Sequence, residues 1–154
     1  MLDDVSCFPR LLMQAASDLL SSVPKRQDRV GNPFAVELSV EGDPIWGTSL
    51  RDLARIAAQI LLYTEHEGAS GLFIDCARNT IVCQLGGARY NMVGPPAPCF
   101  VDLIRTILKA TNTQVDQPGA LTLPLTEGHR QLRICYEQHP TPCMRITGFR
   151  KGES

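Results

Sequence analysis

Four side chains of the kinds that bind zinc lie in the last third of the sequence, namely His129, Cys135, His139 and Cys143. A tetrahedral zinc site needs four such donors that converge on one point. Their spacings differ from those of a zinc finger or ribbon, and the two histidines fall in opposite turns of one predicted hairpin. We therefore expect unpaired thiols and solvated histidines here, with no bound metal and no cofactor.

Catalysis by a cysteine is the second chemistry to consider. Cys135 and His139 would form a thiol and imidazole pair, but neither an orienting carboxylate nor a family signature accompanies them. Cys76 and Cys83 alternate with apolar residues, which is typical of small core side chains. The sequence also contains no Gly-x-x-x-x-Gly-Lys-Ser/Thr loop that would cradle the phosphates of ATP. We expect no catalytic residues and no enzymatic activity.

Composition narrows the classes of partner. The chain has 154 residues and a net charge of −1, so no surplus of basic residues favours nucleic acid or anionic lipid. The N-terminus, Met1-Leu2-Asp3-Asp4, carries two acidic residues where a signal peptide would be basic, and no apolar run reaches the ~20 residues that span a bilayer. The six cysteines are scattered in a chain too large to need disulfides. These features favour a cytoplasmic protein with reduced thiols and no membrane insertion.

The stretch from Ser49 to Leu85 predicts a helix followed by a hairpin. Ser49 with Asp52 forms a capping-box pattern, apolar residues then recur at helical spacing, and Gly68 ends the helix. Apolar residues next alternate with other residues over 72–76 and 81–85, and turn-forming residues divide the two runs. This segment predicts a central amphipathic helix and two strands that each have one apolar face.

The other elements follow from the same periodicities. We predict a short helix over 8–23 and an amphipathic helix over 99–110; a loop over 24–33; and strands over 34–40, 88–93, 121–125, 131–137 and 144–149. The fold class predicted is α+β, a mixed or antiparallel sheet of about six short strands with two amphipathic helices on one face. Residues 48–150 would form this domain, and residues 1–47 an N-terminal extension with a helix, a linker and a first strand. The sequence leaves open whether the extension packs on the domain.

From about Leu50 to Phe149 the order of elements resembles the accessory domain that precedes the motor core in the hexameric ATPases of type II secretion and type IV pili. The segments that carry the resemblance are Gly68-Ala69-Ser70-Gly71, Leu72-Phe73-Ile74-Asp75, Ile81 to Gly87, Leu103 to Leu108, Gln117-Pro118-Gly119, Leu132-Arg133-Ile134, and Pro140-Thr141 with Met144-Arg145-Ile146. The resemblance covers about two thirds of the chain and implies a sheet with packed helices.

The chain departs from that family mainly at polar positions. Gly71 and Gly86 stand where the family has aspartate, and Val82 and Gln84 stand where it has two arginines. In the full motors, arginines of this domain help to complete the nucleotide site of a neighbouring subunit, which requires a permanent positive charge. Val82 and Gln84 cannot supply that charge, and the motor core is absent from this sequence.

The resemblance implies a non-catalytic protein-interaction or adaptor module whose partner is a secretion or pilus component. Arg105 and Arg133 are the candidate contact residues, because the family has arginine at both positions; the alternative is that both are solvated charges. A small-ligand sensor is a second hypothesis, since compact domains of this class often enclose a pocket. A thiol or zinc enzyme is the weakest alternative.

Overall fold

The computed structural model describes residues 5–21, 49–92, 97–139 and 141–149. This part of the chain forms three helices and six strands: α1 (Phe8–Ser21), α2 (Leu50–Glu67), β1 (Gly71–Asp75), β2 (Thr80–Leu85), β3 (Ala88–Met92), α3 (Ala97–Ala110), β4 (Gly119–Leu125), β5 (Gly128–Glu137) and β6 (Cys143–Thr147). The strands pair antiparallel in the order β3-β2-β1-β6-β5-β4. The predicted α+β class is confirmed, and the sheet is antiparallel rather than mixed. The strand predicted over 34–40 and the loop over 24–33 lie outside the described residues.

Helix α2 begins and ends where local chemistry predicts. The Ser49 hydroxyl accepts a hydrogen bond from the backbone N–H of Asp52 at 3.1 Å, which satisfies one of the free donors of the first turn. Gly68 takes the left-handed conformation with φ 76° and donates its N–H to the carbonyl of Glu65 at 3.1 Å. The helix predicted between Ser49 and Gly68 is therefore confirmed at both ends.

Strand alternation gives the sheet one buried face, which we call the inner face. It is lined by apolar residues of five strands: Leu72, Ile74, Ile81, Cys83, Leu121, Leu123, Leu132, Ile134, Met144 and Ile146. The apolar stripe of α3, which includes Phe100, Leu103 and Ile107, belongs to the same core. The helices thus form one layer and the sheet the other, as the two-layer prediction requires.

Helix α1 is part of this core. Phe8, Leu12 and Ala16 are fully buried in the cluster that also contains the buried residues of α2, and α1 packs against both α2 and strand β4. As a result α2 is buried on more than the predicted stripe, because Ala54 and Leu62 are enclosed as well. The N-terminal helix therefore packs on the domain. Among the described helices, none is both long and apolar enough to span a membrane.

Candidate functional site on the outer face of the sheet

The opposite face of the sheet, which we call the outer face, carries the polar side chains of the strands. At its centre, Phe73 of β1 pairs in register with Val82 of β2 on one side and with Arg145 of β6 on the other. Successive residues of a strand point to opposite faces, so these side chains point away from the buried inner face. All three are partly exposed, in contrast to the buried residues that flank them in each strand.

The Phe73 ring holds two guanidinium groups. The guanidinium carbon of Arg89, on β3, lies 5.4 Å from the ring centroid, and that of Arg145 lies 5.6 Å from it. At this distance each cation is attracted to the ring quadrupole, an interaction of about 0.5 to 1 kcal/mol at an exposed site. Arg145 also forms an ion pair with Glu137 of the neighbouring strand β5. Phe73 therefore orients two arginine side chains that would otherwise sample many rotamers.

A row of paired residues crosses this face from strand β3 to strand β5. In this row Arg89 pairs with Gln84, which pairs with Gly71. Gly71 pairs on its other side with Thr147, which pairs with Arg133. Four strand spacings separate the backbone positions of the two terminal arginines by about 19 Å. Gly71 and Thr147 are the smallest side chains of the row, so its middle is lower than its ends.

The two terminal arginines are the uncompensated charges of the outer face. Arg89 and Arg133 are both exposed, and neither forms an ion pair within the described residues. Arg145 shares its charge with Glu137, and Asp75, at the end of β1, lies 4.0 Å from Arg78. The backbones of these two arginines lie at the ends of the row, but the guanidinium of Arg89 lies over the Phe73 ring, nearer the centre of the face.

The motif positions of the sequence converge on this face. Arg133, Arg145, Val82 and Gln84 belong to the sequence segments from which we expect a resemblance to the ATPase accessory domain. The four residues lie on three strands that are separated in sequence, and the antiparallel register places all of them on the outer face. Sequence reasoning missed Arg89 and Phe73, because only the pairing of β3, β2 and β1 brings them together.

The two predicted contact residues do not share a surface. Arg133 lies on the outer face, whereas Arg105 lies on the exposed side of α3, in the helical layer. Arg105 also forms an exposed ion pair with Asp102, one turn before it, at 3.7 Å. Because the sheet and the core separate the two arginines, a partner that contacts one of them need not contact the other.

The four residues weighed as zinc ligands are not brought together. His129 and Cys135 lie six positions apart on strand β5, a distance of about 20 Å along an extended chain. Cys143 lies on β6 opposite Glu137, and His139 follows the end of β5. Among the residues that the structure describes, no three or more metal-binding side chains are grouped so that they could hold an ion.

Burial makes several thiols poor nucleophiles. The pKa of Cys76 rises to about 11, mainly because burial disfavours the thiolate and secondarily because Cys143 is close. Burial likewise raises the pKa of Cys99 to about 11 and raises that of Cys83. Cys83 is 2% exposed and belongs to the core, so its predicted role as a small apolar residue is confirmed. These thiols stay protonated near neutral pH, where the reactive thiolate is scarce.

No known protein-family model matches this chain, and no curated protein is a significant relative of it.

Proposed function

We propose that this chain is a non-catalytic protein-interaction or adaptor module, related to the accessory domain of the type II secretion and type IV pilus ATPases. The observation that carries the proposal is the position of the motif residues. Arg133, one of the two candidate contact residues, lies on one face of the sheet together with Arg145, Val82 and Gln84, which belong to other segments of the resemblance. A surface that gathers these positions is the natural place for a contact with another protein.

The chemistry of the chain supports a role without catalysis. The sequence has no phosphate loop, and the two positions where the family supplies arginine to a nucleotide are filled by Val82 and Gln84. We expect no ATP hydrolysis and an affinity for ATP no better than about 1 mM. Calorimetric titration measures this affinity directly, and micromolar binding of ATP would contradict the proposal.

The partner we propose is a protein of the secretion or pilus machinery, met in the cytoplasm. Arg133 on the outer face and Arg105 on the helical layer are separate contact candidates, because the body of the domain lies between them. An adaptor that links two proteins would use two such surfaces. An adaptor with one partner would use only one of them.

The proposal is tested by recovering partners from the native cell extract with the immobilised chain and with two single variants, Arg133→Ala and Arg105→Ala. Both positions are exposed, so both variants should keep the melting temperature of the parent chain. We expect a secretion or pilus component among the proteins recovered, and we expect Arg133→Ala to reduce its amount. The proposal fails if quantitative mass spectrometry finds no such component, or finds it unchanged when both arginines are replaced in one folded chain.

A further inference from the structure

We propose that residues 34–40 of this chain add to the open edge of strand β3 as a seventh strand of the sheet. The inference goes beyond the proposed function and does not depend on it. It follows from three observations: the edge of β3 is open, the opposite edge of the sheet is obstructed, and the strand pattern of 34–40 has no partner among the described strands.

The backbone of β3 is unpaired on the side away from β2. The Gln84 carbonyl accepts a hydrogen bond from the Ser70 N–H at 2.9 Å, so the backbone of Gln84 faces β1. In an antiparallel ladder, opposite residues exchange two hydrogen bonds or none, and the two kinds of pair alternate. Arg89, opposite Gln84, therefore directs its N–H and C=O away from β2, and so does Asn91 two residues later. Because β3 is the last strand of the described sheet, no described strand pairs with these groups.

Neither a charge nor a helix covers this edge. Residues 88–91 are all exposed. Tyr90 is 53% exposed although it lies opposite Cys83, which is 2% exposed, so the helical layer ends before it reaches β3. Charged side chains at an edge discourage pairing with another strand. The one charge of β3 is Arg89, and its guanidinium lies back over the Phe73 ring of β1 rather than beyond the edge.

The opposite edge of the sheet, formed by β4, is obstructed. Pro124 lies in β4, opposite His129. Proline has no N–H, so within a sheet it is tolerated where its nitrogen faces an open edge, and it cannot donate to an added strand there. Helix α1 also packs against β4. Of the two places where the described sheet could be extended, β3 is therefore the one that can accept a strand.

The segment 34–40 has the pattern that this position requires. Its apolar residues Phe34, Val36, Leu38 and Val40 alternate with Ala35, Glu37 and Ser39. A strand needs partners for its backbone groups, and the described sheet offers them only at its edges. Beside β3, the apolar side of the segment would extend the inner face past Tyr90, and its polar side would extend the outer face.

The connections to α2 and α1 are long enough for this arrangement. Eight residues, 41–48, separate the segment from the N-cap of α2 and span up to about 27 Å. Burial, and then the charges of Asp102 and Asp52, raise the pKa of Cys99, so the first turn of α2 lies near that of α3. Helix α3 in turn begins five residues after β3 ends, at most about 17 Å away. On the other side, the twelve residues 22–33 span up to about 40 Å, more than the width of about 24 Å of a six-stranded sheet.

Hydrogen exchange followed residue by residue by NMR on the isotope-labelled full chain tests the inference. The N–H groups of Arg89 and Asn91 should exchange at least about tenfold more slowly than that of Thr122. Thr122 is the internal control, because it lies two residues before Pro124 and faces the obstructed edge of β4. The protection should be the same at low and high protein concentration, since the added strand belongs to the same chain.

Two proline variants identify the strand that gives this protection. Val36→Pro and Glu37→Pro remove neighbouring N–H groups that point to opposite sides of a strand, so one of them removes a bond to β3. That variant should speed the exchange at Arg89 and Asn91 at least about tenfold. Gln27→Pro, in the loop predicted over 24–33, is the matched control and should leave the protection unchanged. The melting temperature and slow exchange at Ile134, in the core, establish that each variant is folded.

The inference is wrong if Arg89 and Asn91 exchange as fast as Thr122 in the parent chain, or if their protection survives in both segment variants. It is also wrong if the protection appears only at high concentration, because a second copy of the chain would then occupy the edge. None of these outcomes changes which proteins are recovered in the extract experiment. The two proposals can therefore fail separately.

Discussion

The carboxylate of Glu65, in the last turn of α2, accepts two hydrogen bonds from the guanidinium of Arg130 on strand β5, at 2.9 and 3.4 Å. The side chain of Glu65 is only 10% exposed and that of Arg130 is 32% exposed. This pair joins the helical layer to the sheet at residues 65 positions apart. Two charged side chains that form paired hydrogen bonds and are partly removed from water have a larger interaction free energy than an ion pair exposed on the surface.

Removal of either partner should destabilise the domain. We expect Glu65→Ala and Arg130→Ala each to lower the free energy of unfolding by about 1 to 3 kcal/mol, because each change removes this charge-assisted pair from a half-buried place. A double-mutant cycle by urea denaturation should give a coupling energy above about 1 kcal/mol. The exposed pair of Asp52 and Arg55, at 3.8 Å, is the control and should couple by less than about 0.5 kcal/mol. Equal coupling in the two cycles would show that the pair of Glu65 and Arg130 does not tie the layers together.

The buried face of α2 should be the most sensitive part of the helix to substitution. Ile56 and Ile60 are 5% and 7% exposed, so replacement of either by alanine should cost about 2 to 5 kcal/mol through lost burial and a cavity. Arg51 is exposed on the other side of the same helix, and Arg51→Ala should change stability by less than about 0.5 kcal/mol. Thermal denaturation of the three variants checks the prediction. The prediction is wrong if Ile56→Ala and Arg51→Ala have the same melting temperature.

Gly119, the first residue of strand β4, has a packing role. A Cβ atom at this position would lie 2.6 Å from the carbonyl oxygen of Thr111 and would also overlap the Thr113 hydroxyl. Since backbone must move to admit it, Gly119→Ala should destabilise the domain by about 1 to 3 kcal/mol. Gly87 has open space around the same position, and Gly87→Ala should be close to neutral. Similar melting temperatures for the two variants would refute the close approach at Gly119.

The raised pKa values of the thiols predict a loss of stability in alkaline solution. The pKa of Cys76 and that of Cys99 are about 11 in the folded protein, against an ordinary value of 9.0. The folded state therefore binds these protons more tightly than the unfolded state, and this contribution is fully present below pH 9.0 and is lost as the pH rises toward about 11. Denaturation curves collected across this window should show falling stability, and a Cys76→Ala, Cys99→Ala chain should show a shallower fall.

The same thiols should react slowly with alkylating reagents. Cys99 is 4% exposed, whereas Cys135 is partly exposed on the outer face of the sheet. We expect iodoacetamide at pH 8 to modify Cys135 before Cys99, since reaction requires both access and a thiolate. Peptide mass spectrometry at successive times gives the order, and early modification of Cys99 in folded protein would contradict its burial.

The local elements could be predicted from the sequence because each depends on residues close together in the chain. The cap that begins α2 joins Ser49 to a residue three positions later, and the end at Gly68 needs only one left-handed residue. Strand alternation over 72–76, 81–85 and 131–137 is likewise a pattern of neighbours. The helices, the six strands and the α+β class were therefore accessible without a structure.

The candidate site depends on pairings between distant parts of the chain, and only the tertiary structure decided them. Strand alternation predicts two faces for Phe73 and its neighbours, but it does not state that β1 pairs with β6 and so places Arg145 beside the ring. The same holds for helix α1. Its apolar stripe predicts that the helix packs against another element, but it does not identify α2 and β4 as those elements. The order and register of the strands are selected by the burial of one continuous apolar face, a property of the whole fold. For that reason the sequence could identify Arg133 and Arg105 as candidates only one by one. Their placement on different layers, and the register that aligns Arg89 with Arg133, are properties of the packed structure.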